Sequence, residues 1–183
     1  MRKNKLSLGK LEKDTLKEVG NIAANKASAA LSKLIDLPVE VKMTFVKIVS
    51  LNNLEEYIKS KKLISSVFAV SGDIKGSIAL IHQRETALML AKRLLKKDKP
   101  LVVLDSISKD ALKELGNILI GNYLSTLSDI AHLNFLESVP FLVVGSIEKI
   151  TANMLKHSRE NSKQVMIIAT GISIKEENFQ GAI

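Results

Sequence analysis

The chain has 183 residues, enough for one large domain or two small ones, and its 46% hydrophobic and 25% charged residues are the balance of a globular protein that can bury a core. It has no cysteine, which excludes a disulfide framework, a thiolate metal site and a cysteine nucleophile, and a reducing, cytoplasmic location is expected. The net charge of +8 comes in short clusters at residues 2–5, 59–62 and 92–99 with few aromatics between them, and no zinc, RNP or helix-turn-helix pattern accompanies them. These clusters read as solvated faces and not as a nucleic-acid surface, although a basic protein associates faster with an acidic partner.

The first residues, MRKNKLSLGKLEKD, are basic but lead into no apolar stretch of signal-peptide length, and the longest apolar runs, 141–145 and 165–169, are strand-sized. Neither export nor membrane insertion is expected. Residues 8–35 follow a helical pattern, with Leu16, Val19, Ala23, Ala27, Ala30 and Leu34 recurring at three- and four-residue steps. Asp14, Glu18, Asn21, Asn25, Ser28 and Ser32 step in the same way and fall on the opposite side, as a polar stripe. A strand is predicted at 39–49 with Val41, Met43, Phe45 and Ile48 inward, then a short helix at 53–61. A hairpin follows, from 64–71 and 77–82 around SGDIKGS, and then a helix at 84–96.

The segment KKDKPLVVLD leads into a second long helix at 106–132, with Leu112, Leu115, Leu119, Thr126 and Ile130 apolar and Asp110, Glu114, Asn117, Gly121 and Ser128 opposite. A strand at 140–147, a helix at 146–158 and a strand at 165–174 complete the predicted order, and NFQGAI at the end parallels DIKGSI at 73–78. DTLKEVGN at 14–21 returns as DALKELGN at 110–117, an offset of 96 residues (14 to 110, 21 to 117), or about half the chain. This internal repeat predicts an α+β fold with pseudo-two-fold duplication, an antiparallel sheet carrying the two long motif-bearing helices on one face. The halves, about 1–99 and 100–183, lack separate hydrophobic faces, so one fused domain is expected, with the second half short of a closing strand and helix.

Glu18 and Asn21, like Glu114 and Asn117, are spaced to project side by side from one helix surface. A single such pair is most simply a solvated face; its recurrence in two diverged halves argues for use. Gly20 and Gly116 lie beside the asparagines, where helical glycine costs about 1 kcal/mol relative to alanine. Close approach is therefore needed there, either by a partner or by the protein's own packing. His82, His132 and His157 have no ligand-like spacing and read as packing or surface residues, and neither a phosphate-binding glycine loop nor a Ser-His pairing is present.

Asp110-x3-Glu114-x2-Asn117-x22-Pro140 resembles the signature of the CheC/CheX/FliY family of chemotaxis phosphatases, CheC-type in particular, and Asp14-x3-Glu18-x2-Asn21 matches its first three elements. Two departures lie in the first half: Thr44 stands where the family has proline, and IAAN follows Asn21 where CheC has more glycine. The resemblance implies a single CheC-like domain over residues 1–183 that removes the phosphoryl group from the aspartyl phosphate of the response regulator CheY. By that resemblance Asn21 and Asn117 orient the attacking water and Glu18 and Glu114 pair with the regulator's active-site lysine; Asp14 and Asp110, one turn earlier on the stripe, either help recognition or favour the N-terminal half of the helix, and Gly20 and Gly116 are candidates for partner recognition beside the packing role left open above. No cofactor or metal is expected on this chain, Mg²⁺ being brought by the regulator. The partners implied are phosphorylated CheY and the receptor deamidase CheD, a non-catalytic adaptor for CheD being the alternative role.

Overall fold

The computed structural model describes residues 9–58, 62–158, 163–174 and 179–182. Helix α1 (Lys10–Ile35) opens where the Gly9 N–H donates to Glu12 Oε2 at 2.6 Å, a first-turn carboxylate satisfying a backbone donor that the helix leaves unpaired. It closes on Asp36 in the left-handed conformation. Strand β1 (Val39–Ser50), a 3-10 turn at Leu51–Asn53 and the short α2 (Leu54–Tyr57) follow. The predicted helix at 53–61 thus ends early; residues 59–61 lie outside the described residues. The hairpin β2 (Leu63–Gly72) and β3 (Gly76–Gln83) runs into α3 (Arg84–Leu94), as the pattern predicted.

The second half begins with α4 (Ser106–Ala131), capped by Asp105, whose Oδ1 accepts from the Ser108 N–H at 2.7 Å. Hydrogen bonding to Ser108, whose backbone N–H is the donor, holds the Asp105 carboxyl below the ordinary aspartate range. The strand predicted at 140–147 is β5 (Phe141–Gly145); a short strand that was not predicted, β4 (Phe135–Glu137), precedes it, the two separated around Pro140, which has no N–H for a ladder. Helix α5 (Ile147–Ser158) and strands β6 (Gln164–Ile174) and β7 (Phe179–Ala182) complete the described chain.

All pairing is antiparallel, but it forms two sheets where one was expected: β1-β6-β7, and a four-stranded sheet in which β2 lies between β3 on one side and β4 and β5 on the other. Each sheet joins the strand after one long helix to the hairpin of the other half, so neither half closes alone. The two registers coincide under constant shifts. Moving β1 by 96 positions (39 to 135, 41 to 137, 45 to 141) and β2 by 102 (63 to 165, 67 to 169, 70 to 172) turns the β4/β5–β2 pairs into the β1–β6 pairs.

The coincidence includes a one-residue bulge. In β1 it falls between Met43 and Phe45, at Thr44, and the shift carries Thr44 onto Pro140. The bulge also corrects the predicted facing of β1. A bulge changes the phase of alternation, so Val39, Val41, Met43, Val46 and Val49 are buried while Phe45 is 41% exposed and Ile48 half-buried.

Helices α1, α3 and α4 cover one face of the sheets, over a core that includes Leu31, Ile64, Phe68, Leu90, Leu112 and Ile172. The other face carries α2 and α5 over Leu63, Val67, Val143 and Ile150. β2 is buried on both faces, which is why LISSVF shows no alternation of polar and apolar residues. The buried stripe of α1 runs through Val19, Gly20, Ala23, Ala24, Ala27, Leu31 and Ile35. Predicted core residue Leu34 is 38% exposed, and in α4 Ile130 is 45% exposed, because the sheets and the partner helix meet a stripe rotated from the one the leucines marked.

Candidate functional site

Asp14, Glu18, Asn21 and Asn25 are exposed along α1, and Asp110, Glu114 and Asn117 along α4, so this part of each predicted polar stripe is at the surface and borne by a 26-residue helix packed on a sheet. Such a helix holds its side chains in fixed relative positions better than a loop does. On α4 the Asn117 Nδ2 donates to Glu114 Oε2 at 3.2 Å, and Lys113 pairs with Asp110 at 2.9 Å. On α1 neither Glu18 nor Asn21 has a hydrogen bond to another side chain among the described residues. The two helices pack together, and Lys26 of α1 meets Asp129 of α4 at 3.5 Å in an exposed ion pair.

The far end of each predicted polar stripe serves the fold instead. Ser28 Oγ accepts from the Val41 N–H at 2.8 Å while donating to the Ala24 carbonyl at 2.7 Å, and Ser32 Oγ accepts from the Val39 N–H at 2.9 Å. These half-buried serines tie β1 to α1. In α4, Gly121 is half-buried and Ser128 donates to the Leu133 carbonyl. The free stripe is therefore limited to the N-terminal part of each helix.

The glycines are not a recognition surface. Gly20 and Gly116 are buried and face the protein's own sheets. A Cβ on Gly20 would lie 1.7 Å from Met43 Cε, and one on Gly116 would lie 3.0 Å from Phe68 Cζ and 3.1 Å from Ser66 Cβ. Of the two roles the sequence left open, internal close packing is the one observed. The helix approaches the sheet closely at the level of the Glu–Asn pair, which anchors that segment.

Thr44, the departure from the family pattern, is exposed, and its hydroxyl donates to the Ala169 carbonyl at 3.0 Å across the bulge. It secures the distortion by hydrogen bonding where Pro140 secures it by a fixed backbone angle. His82 is buried and its pKa is pushed down to about 4 by burial; His132 closes α4, and exposed His157 tilts against the Phe141 ring with centroids 4.2 Å apart. None adjoins the Glu–Asn pairs in sequence or hydrogen bonding. Among the described residues no group of three or more His, Asp or Glu side chains is arranged to hold a metal ion, and no helix is long and apolar enough to cross a membrane.

Chemically, each pair offers one anionic acceptor and one neutral amide, both exposed on a helix surface. That arrangement suits a macromolecular substrate that brings its own reacting groups, since an exposed carboxylate beside an amide has neither an activated nucleophile nor a pocket to exclude water.

The family profile described as chemotaxis phosphatase CheX matches residues 64–170, more than half of the chain, including Glu114 and Asn117 but not Glu18 and Asn21. The chain is similar to the CheY-P phosphatase CheC of Bacillus subtilis, with 29% identity over 164 residues covering 87% of this chain and 78% of that protein. Its fold is similar to that of Thermotoga maritima FliY, with a TM-score of 0.79 at 18% identity over 97% of this chain and 90% of the other. The middle domain of H. pylori FliM also resembles it, with a TM-score of 0.67 at 14% identity over 96% and 90%.

Proposed function

The chain therefore belongs to the CheX family of chemotaxis phosphatases, and we propose that it hydrolyses the aspartyl phosphate of phosphorylated CheY, with one Glu–Asn pair on each long helix as its active surface. The observation that carries this reading is the recurrence of the exposed pair at equivalent positions of two helices whose sheets share one register, bulge included. We read the halves, on the same ground, as copies of one unit fused into a single domain.

Hydrolysis of an acyl phosphate forms a bond from water oxygen to phosphorus, breaks the bond from phosphorus to the aspartyl oxygen, and releases inorganic phosphate and a free carboxylate. Positioning and charge neutralisation are the main requirements, and the regulator brings the aspartyl group, its Mg²⁺ and a lysine. Asn117 and Asn21 supply the positioning. An amide accepts from and donates to one water while carrying no negative charge, so it sits beside a phosphoryl dianion that would repel Asp or Glu. Glu114 and Glu18 supply docking through a charge-assisted bond to the regulator's lysine. In the free protein Asn117 donates to Glu114. Turning that carboxylate to an incoming cation releases the amide for water.

The test is the decay of Mg²⁺-dependent CheY phosphorylation with and without the protein, beside the double variant Asn21→Ala/Asn117→Ala. Accelerated decay that is lost in a variant with unchanged circular dichroism supports the reading. No acceleration by the unaltered protein, alone or with CheD, would abandon it in favour of an adaptor that binds CheD.

A further inference from the structure

The strand beside each motif helix lends the two surfaces different groups. Phe135 of β4 packs on the core under α4, so Glu137, two residues further along the strand, faces the same helix. Its Oε1 lies 3.5 Å from where a Cβ on Gly121 would stand. Gly121 follows Asn117 by four residues on the same side of α4, about 6 Å along the axis. The Asn117 amide therefore lies between two carboxylates, Glu114 one turn before it and Glu137 one turn after. The Glu137 carboxylate has no hydrogen-bond or ion-pair partner among the described residues.

The first helix has no such arrangement. Under the shift of 96 positions (41 to 137, 25 to 121) Glu137 corresponds to Val41 and Gly121 to Asn25. Val41 is 4% exposed in the core, and Asn25 is exposed on α1. A carboxylate thus stands where the other half has a core residue, and a glycine, unfavourable in a helix, leaves the helix face open to it. The bulge differs in the same sense. Met43 is buried against Gly20 and Thr44 is exposed, whereas of their counterparts Pro140 is buried and Val139 is 87% exposed. As Met43 lies beside Gly20 and Asn21, the register sets Val139 at the level of Gly116 and Asn117. An unpaired carboxylate and an outturned apolar side chain therefore border the second pair and not the first.

We propose that Glu137 and Val139 are a second docking element of the Asn117 site, which takes a cationic side chain and an adjoining apolar one on the surface of the phosphorylated regulator. The proposal rests on the phosphatase reading above and adds that the two pairs differ in their hold on the regulator. On a chain of net charge +8, two exposed carboxylates flanking a neutral amide select a cation on the partner. A carboxylate repels the phosphoryl dianion, so Glu137 serves the rim of the contact and leaves the water to Asn117. The element continues the Glu114–Asn117 surface and needs no separate partner.

The test uses the Asn21→Ala protein, in which only the second pair is intact. Initial rates of phosphate release are measured against the concentration of phosphorylated CheY, alone and with Glu137→Gln or Val139→Ser added, circular dichroism reporting the fold. Each change is expected to raise KM roughly three- to tenfold with kcat little altered, and Glu137→Gln alone to flatten the salt dependence of kcat/KM. Leu136→Ser, on the opposite face of β4 and 67% exposed, is the control and is expected to leave KM as it was. Turnover with KM unmoved by Glu137→Gln and Val139→Ser overturns the proposal and leaves the phosphatase reading standing. So does a fall in kcat alone, or a rise in KM that Leu136→Ser matches. No turnover by Asn21→Ala overturns the proposal, and no turnover by the unaltered protein overturns the phosphatase reading with it.

Discussion

The two motif glycines make opposite demands on their neighbours, and the larger overlap is the cheaper to relieve. Alanine in place of a helical glycine gains about 1 kcal/mol from backbone entropy. At Gly116 the new methyl group sits 3.0 Å from Phe68 and 3.1 Å from Ser66. Phe68 is 0% exposed, and the Ser66 hydroxyl is bonded to the Leu112 carbonyl at 3.3 Å, so neither side chain has room to move. Overpacking of this kind costs about 1–3 kcal/mol, which leaves Gly116→Ala destabilised by about 1 kcal/mol. At Gly20 the methyl group falls 1.7 Å from Met43 Cε, an outright overlap, but with the end of an unbranched side chain that borders a cavity of about 770 Å³. Met43 rotates into that space, and Gly20→Ala is expected within about 0.5 kcal/mol of the unaltered protein. Urea denaturation at fixed slope measures the difference, with the Gly116→Ala midpoint the lower by roughly 0.5 M. A lower midpoint for Gly20→Ala refutes the packing argument. Both variants should keep full phosphatase activity while folded; a folded Gly116→Ala that no longer docks its regulator would return the glycines to recognition.

The single variants should also separate the two sites. Asn117→Ala is expected to remove more CheY-P phosphatase activity than Asn21→Ala, because only the second half carries the full pattern through Pro140; initial rates of phosphate release decide, and equal losses or the reverse order refute the ranking. Glu114→Gln should raise the KM for the phosphorylated regulator roughly tenfold with kcat little changed, and should flatten the salt dependence of kcat/KM, the marks of a docking charge. A fall in kcat at constant KM would make Glu114 part of the chemistry. His82 titrates at about 4 when folded against the usual 6.5, so the unfolded chain binds the extra proton between these values. Its contribution is whole above about pH 6.5 and is lost as pH falls towards 4, worth about 3 kcal/mol. His82→Leu should flatten stability against pH across that window, and an unchanged slope would mean that the ring is not buried neutral.

The exposed stripes were legible because a helix has one period: residues three and four apart share a face whatever the surroundings, so Asp14, Glu18 and Asn21 could be placed together without a fold. The hairpin at SGDIKGS was legible for a similar reason, being local. What was not legible depended on partners distant in sequence. The bulge at Thr44 leaves no mark in the alternation of β1 until β6 is beside it, and so Phe45 was expected inside. Ser28 and Ser32 looked like solvent residues until β1 came back across the helix. Leu31, Leu34 and Ile35 all suit a core, and only the neighbouring elements decide which of them is left out.

The sequence repeat gives the two pairs the same residues but not the same support. Helix α4 rests on Phe68 and on α3, whereas α1 rests at Gly20 on a flexible methionine beside a cavity. A water-positioning amide loses effectiveness steeply when its placement loosens, by roughly a hundredfold for a displacement of 1 Å. The ranking of Asn117 above Asn21 therefore has a mechanical cause as well as a sequence one.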